Sequence, residues 1–264
     1  MQLPIPTSLA DWREAADTAA DGVVATHTDG DHVVVLRRWR REGAKIVVLV
    51  HGIGMGQQYF GLLRQALSEE LDVIALDLPG FGASPEPASS RSMPEVADLL
   101  AAALRELVGQ PVIALGHSMG TQVVAELAAR HPELVERVVL IAPTVNPRER
   151  SGWAQAWRLL QDLSNDPPIV AMVGARMYAQ TGPRWYLRKL RTMLAHDLRD
   201  VLPSVHQPTL VVRGEDDRVV PAEWAAEVHA LLPQAELRTA RGKGHEAMVT
   251  GAEPVARMVM ELAR

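Results

Sequence analysis

Five short apolar runs constrain the fold of this chain more than any other feature of its sequence. They are IVVLV (46–50), VIAL (73–76), VIAL (112–115), VVLIA (138–142) and TLVVR (209–213), and longer amphipathic stretches separate them. A strand with one wet face alternates apolar and polar residues, whereas a run that is apolar throughout must be covered on both faces, as inside a parallel sheet. Helical spacing over 58–70, 94–108 and 119–131 fills the intervals. That alternation predicts the α/β class: an open, mostly parallel sheet flanked by helices.

The pattern differs at two places. Residues 23–28 and 32–39 are β-rich and flank Asp29-Gly30-Asp31, which predicts a hairpin ahead of the parallel strands. Before it, Leu9, Trp12, Ala15, Ala16 and Ala19 recur at helical spacing and suggest a small leading helix. Between Arg148 and His206 the alternation stops, and helical spacing is punctuated by Asn165-Asp166-Pro167-Pro168 and Gly182-Pro183. The expected organisation is therefore a core of residues 1–147 and 207–264, with a helical cap inserted at 148–206. Such a cap would cover the carboxyl ends of the strands, where open α/β sheets bind ligands.

Composition removes several function classes. The net charge of -5, from 27 basic and 32 acidic residues, argues against nucleic acid as a partner, which would require a surplus of Lys and Arg. With no cysteine, thiol nucleophiles and zinc thiolate sites are excluded, so a nucleophile must be oxygen or nitrogen. No H-x-H, H-E-x-x-H or P-loop pattern occurs, so neither a metal nor a cofactor is expected. The N-terminal stretch has no basic and apolar leader, and no run approaches membrane-spanning length; a cytoplasmic protein without a membrane span is expected. The oligomeric state is not legible.

Chemistry is concentrated at Gly116-His117-Ser118-Met119-Gly120, which directly follows an apolar strand and opens a helical stretch. A nucleophile at the tip of a sharp strand-to-helix turn leaves no room for side chains two residues before and after it, so glycine is needed at both places. The turn also sets the Ser118 hydroxyl at a helix N-terminus, where free N–H groups favour a developing anion.

Two further blocks follow strands in order: His51-Gly52-Ile53-Gly54, and Asp77-Leu78-Pro79-Gly80-Phe81-Gly82-Ala83-Ser84. With the serine elbow, they make the chain resemble the α/β-hydrolase fold superfamily, in its serine esterase form with a helical cap, from about Val23 to the C-terminus. The resemblance implies a triad of Ser118, Asp217 and His245. Asp217 lies three residues after Gly214 in a G-x-x-D pattern, with Asp216 as the fallback, and His245 precedes the last helix. It also implies an oxyanion hole from the backbone N–H groups of Ile53 and Met119. His51 would be structural, and the His117 side chain would point away from Ser118. Gly52, Gly54 and Gly56 would allow close backbone approach to substrate.

Serine rather than aspartate at the elbow favours attack on a carbonyl and an acyl-enzyme intermediate. Hydrolysis of a carboxylic ester is the most generic such reaction; thioester and lactone hydrolysis, and perhydrolysis as a side activity, stay open. A carbon-carbon bond hydrolase of the meta-cleavage-product type is an alternative, although such enzymes carry G-H-W where this chain has Gly244-His245-Glu246. A ligand-binding receptor on the same fold is another. Of the eleven aromatic residues, Trp153, Trp157, Tyr178, Trp185 and Tyr186 fall in the expected cap, and Tyr59 and Phe60 follow the oxyanion loop. These seven are expected to line a pocket for a moderately bulky, apolar, ester-like small molecule. Arg37, Arg38, Arg40 and Arg41 are expected at a solvated strand end. Arg184, Arg188, Lys189 and Arg191 are expected on a solvated helix face, or else against a substrate carboxylate.

Overall fold

The computed structural model describes residues 22–149 and 181–264. The expected leading helix at 9–20 and the cap segment 150–180, with Trp153, Trp157 and Tyr178, lie outside the described residues. An eight-stranded sheet forms the centre: β1 (Val23–Asp29), β2 (His32–Trp39), β3 (Ile46–Val50), β4 (Asp72–Asp77), β5 (Val112–His117), β6 (Val135–Ile141), β7 (Thr209–Gly214) and β8 (Ala235–Ala240). Their spatial order is β1-β2-β4-β3-β5-β6-β7-β8. β1 and β2 form the expected hairpin, β2 runs antiparallel to β4, and every later pairing is parallel.

The apolar runs identified in the sequence are the middle strands. Every residue of β3, β4 and β5 is buried, as strands covered on both faces require. The helices are α1 (Gly61–Leu67), α2 (Met93–Leu107), α3 (Met119–Arg130), α4 (Pro183–Ala195), α5 (Leu198–Val201), α6 (Ala222–Leu231), α7 (Ala247–Thr250) and α8 (Ala252–Ala263). α1 returns the chain from β3 to β4 and α3 returns it from β5 to β6, in opposite directions along the sheet. Right-handed crossovers therefore put α1 and α3 on opposite faces. α8 packs beside α1 and α2 beside α3, completing the two covers. α2 starts at a capping box, in which the Ser92 N–H donates to Glu95 Oε2 at 2.7 Å.

Three expectations change in detail. The helix read over 58–70 is a 3-10 turn at Gln57–Phe60 followed by α1, which stops at Leu67. Arg38 is not simply solvated: its guanidinium grips the buried Asp72 carboxylate at 2.9 and 3.0 Å, tying β2 to β4. On α4, Lys189 is buried rather than solvated, whereas Arg184, Arg188 and Arg191 are exposed. The order of strands reverses between β3 and β5, so the loops after these neighbours diverge and leave a crevice at their carboxyl ends.

Candidate active site

Ser118 stands at that crevice, between β5 and α3. Its backbone has φ 52° and ψ -120°, a strained combination for a residue with a side chain. The turn is held by the Ser118 N–H donating to the Ile141 carbonyl at 3.0 Å, and by the Thr121 N–H and hydroxyl donating to the Ser118 carbonyl at 2.9 and 2.6 Å. The two flanking glycines are sterically required. A Cβ on Gly120 would lie 2.1 Å from the Val50 carbonyl oxygen, and one on Gly116 would lie 2.4 Å from that of Gly120.

The loops after β7 and β8 meet above the same edge. A Cβ on Gly214 would lie 2.2 Å from the Gly244 carbonyl oxygen, and the Asp216 N–H donates to Lys243 O at 2.9 Å. This close approach brings Asp217 to His245. Asp217 Oδ1 accepts the N–H groups of Val219 and Val220, both at 2.8 Å, and Oδ2 lies 3.0 Å from His245 Nδ1. With Asp217 ionised, the carboxylate can only accept, so Nδ1 carries the proton and His245 Nε2 is free to accept the Ser118 hydroxyl 3.1 Å away. Asp217 and His245 are buried, while Ser118 retains 8% of its surface. Asp216 is exposed, and its side chain makes none of these contacts.

The loop after β3 closes the other side. A Cβ on Gly52 would lie 3.1 Å from Ser118 Cβ. His51 is buried, and its Nε2 accepts the Leu78 N–H at 3.0 Å, so Nδ1–H donates to Gly52 O at 2.7 Å. Burial pushes the His51 pKa down, in keeping with this neutral, structural arrangement. Asp77 is a second hub. Its carboxylate accepts the Gln57 N–H at 2.7 Å, the Gln57 side-chain amide at 2.8 Å and the Ala83 N–H at 3.0 Å. Gly56 serves this hub rather than a substrate, since its Cβ would sit 2.7 Å from Asp77 Oδ1. Among the described residues, neither the Ile53 nor the Met119 backbone N–H donates to an acceptor; Met119 follows Ser118, and Ile53 follows Gly52, the glycine set against Ser118.

The His117 ring packs against the His245 ring with centroids 5.1 Å apart. Tyr59, Phe60 and Trp185 have 0–1% of their surface exposed and so offer none for a ligand to touch. Trp185 packs on Phe81 and lies directly against Gly80. These three rings are packed inside the body; Tyr186 alone of the described four is half-buried. Lys189, expected on a solvated helix face or against a substrate carboxylate, is buried. Its Nζ donates to Arg91 O at 3.0 Å and lies 5.8 Å from the Trp185 ring, and burial lowers its pKa to about 8. A lysine among apolar and aromatic helix positions was the available signal. Among the described residues no cluster of three or more His, Asp or Glu side chains is arranged to hold a metal ion, and no helix is long and apolar enough to cross a membrane.

The sequence and fold were compared with known proteins. The profile of the alpha/beta hydrolase family matches residues 47–259. An uncharacterized hydrolase of Bacillus subtilis is 26% identical over 241 residues, covering 80% of this chain and 87% of that protein. The 2-(acetamidomethylene)succinate hydrolase of Mesorhizobium japonicum is 27% identical over 260 residues, covering 88% and 92%. Among solved structures, a bacterial membrane phospholipase A superposes with a TM-score of 0.80 at 24% identity, over 96% of this chain and 89% of that one, a likeness of fold.

Proposed function

The chain belongs to the alpha/beta hydrolase family and is a hydrolase, and we propose that it is a serine hydrolase that cleaves a carboxylic ester, thioester or lactone through an acyl-enzyme. The observation that carries this reading is the continuous chain of contacts from Ser118 Oγ to His245 Nε2 (3.1 Å) and from His245 Nδ1 to Asp217 Oδ2 (3.0 Å).

In this reading the Ser118 hydroxyl gives its proton to His245 Nε2 while Oγ attacks the substrate carbonyl carbon. The Asp217 carboxylate holds the imidazolium that forms. The carbonyl oxygen takes up the negative charge between the Ile53 and Met119 N–H groups, which are otherwise without acceptors. His245 then passes its proton to the departing alcohol, thiol or ring oxygen, leaving an ester on Ser118. Water, deprotonated by His245, attacks this ester, and the acid is released as Oγ regains its proton. No metal or cofactor enters these steps.

The name of the Mesorhizobium relative places it as a hydrolase of a carbonyl-bearing small molecule, which fits attack on an acyl carbon. We assign residues 148–206 to a cap over the crevice, with the substrate's apolar group beneath it. Trp185 against Gly80 supports the cap's contact with the body. Trp153, Trp157, Tyr178 and Tyr186 are the aromatic candidates for its lining. A small-molecule substrate in the cytoplasm belongs to the same proposal.

The test is turnover of p-nitrophenyl esters with acyl chains of about two to twelve carbons by the full chain and by Ser118→Ala. Turnover abolished in Ser118→Ala is the expected result. Binding without turnover in the unsubstituted chain would favour a receptor, and turnover retained in Ser118→Ala would reject Ser118 as nucleophile.

A further inference from the structure

The residue before the serine is a buried ionisable group within the site for which the mechanism above has no use. The His117 ring lies between the loops that the chemistry needs. On one side its Nδ1 is 3.3 Å from where a Cβ on Gly52 would be, in the loop after β3. On the other its Nε2 lies 3.2 Å from the main-chain carbonyl oxygen of His245. Its plane is tilted 54° against the His245 ring and lies 6.4 Å from the Tyr59 ring. Only 2% of its surface is exposed.

A carbonyl oxygen can only accept, so His117 carries its proton on Nε2. Glu246 Oε2, 3.8 Å from the same nitrogen, favours that tautomer. Nδ1 then has no donor among the described residues, so the ring is held by a single directional bond, and that bond ends on the backbone of the base. The ionisable groups facing the ring are His245 and Glu246 from the loop after β8, His51 from the loop after β3 and Tyr59 from the 3-10 turn. Burial first, and then the neighbouring His245, push the His117 pKa well down, so that it stays neutral while His245 takes up and releases its proton.

Resting on the serine hydrolase reading, we propose that His117 is a positioning residue: as a neutral Nε2–H tautomer it bolts the His245 main chain to the serine elbow and so fixes the Ser118 to His245 distance. The base loop is also tied to the acid loop, through Gly214 and the Asp216 N–H. The bond from His117 joins its main chain to the residue next to Ser118.

The experiment uses the full chain and the variants His117→Phe, which keeps the ring and loses the donor, and His117→Gln, which keeps a donor. The readouts are the rate of fluorophosphonate labelling at Ser118, and kcat and KM for a p-nitrophenyl ester. Misplacement of a reacting group by about 1 Å costs on the order of 100-fold. We therefore expect His117→Phe to lower labelling rate and kcat about 10- to 100-fold with KM within threefold, and His117→Gln to recover most of the loss. Equal labelling of His117→Phe and the unsubstituted chain overturns the proposal, as does a His117→Gln variant no better than His117→Phe. Nitrogen-15 spectra of the unsubstituted chain give a check free of folding defects. They should show the His117 Nε2–H tautomer from about pH 5 to 9, and a titrating ring or an Nδ1–H tautomer overturns the proposal. Absence of labelling in the unsubstituted chain would remove the serine hydrolase reading together with this one, whereas labelling indifferent to residue 117 removes this one alone.

Discussion

Lys189 is a buried cation with no carboxylate bonded to it among the described residues, and its replacement by methionine isolates what that burial does to stability. Among those residues its ammonium donates to one carbonyl, Arg91 O, and faces the Trp185 ring. Desolvation lowers its pKa from 10.5 to about 8, and the side chain is 3% exposed, so little solvent screening intervenes. Between these two values the unfolded chain holds a proton on Lys189 that the folded chain has released. Stability must therefore rise with pH across this window, the same sign that a depressed carboxylate gives in its own, more acidic window. A difference of 10.5 less 8, or 2.5, corresponds to about 3.4 kcal/mol at roughly 1.36 kcal/mol per pH unit. Other lysines and the tyrosines also titrate there, but they cancel in the difference between the two chains. The assay is urea unfolding of the unsubstituted chain and Lys189→Met from about pH 7 to 10.5, with unfolding free energies compared at each pH. The unsubstituted chain should gain about 3 kcal/mol on Lys189→Met over that span. A difference constant to within about 0.5 kcal/mol would refute the reasoning, because the ammonium would then be as well solvated in the folded chain as in the unfolded one.

Further outcomes follow from other contacts. Asp217→Asn should lower kcat about 10⁴-fold by favouring the wrong imidazole tautomer, while Asp216→Asn stays within about twofold, as measured by steady-state kinetics. Gly120→Ala, whose Cβ would meet the Val50 carbonyl at 2.1 Å, should lose about 3 kcal/mol or fail to accumulate as soluble protein, as read by thermal denaturation. Arg38→Ala leaves the buried Asp72 carboxylate unpaired and should cost about 2–3 kcal/mol near neutral pH. The pH profile of kcat/KM should fall on the acid side as His245 is protonated, and a flat profile from about pH 5 to 8 would count against His245 as the base.

The parts of the fold read correctly from sequence are those with strong local signals. Continuous apolar runs can be satisfied only between two layers, and they are the buried strands β3, β4 and β5 and the buried stretches of β6 and β7. The glycines around Ser118 were legible because their need is steric and local. The meeting of Asp217 and His245 depends on two distant loops, and only the resemblance to a family suggested it. What could not be read was the direction of individual side chains. His117 is the last residue of β5, a strand buried throughout, and alternation alone does not tell that its ring will reach the His245 carbonyl. Tyr59, Phe60 and Trp185 were expected to face a ligand, yet a sheet filled with aliphatic residues leaves gaps at its rim that large rings close. Lys189 stands between Trp185 and Met193 on the inward face of α4, and the polar character of one residue concealed its burial.

The central claim is that Ser118 forms a covalent acyl intermediate. Its most direct test is to mix the protein with a slowly deacylating p-nitrophenyl ester, quench, and locate the acyl group by mass spectrometry of peptides. The account predicts one acyl group per chain, on the peptide bearing Ser118, formed with a stoichiometric burst of p-nitrophenol and absent from Ser118→Ala. Hydrolysis without such an adduct, or an adduct that persists elsewhere in Ser118→Ala, would contradict it.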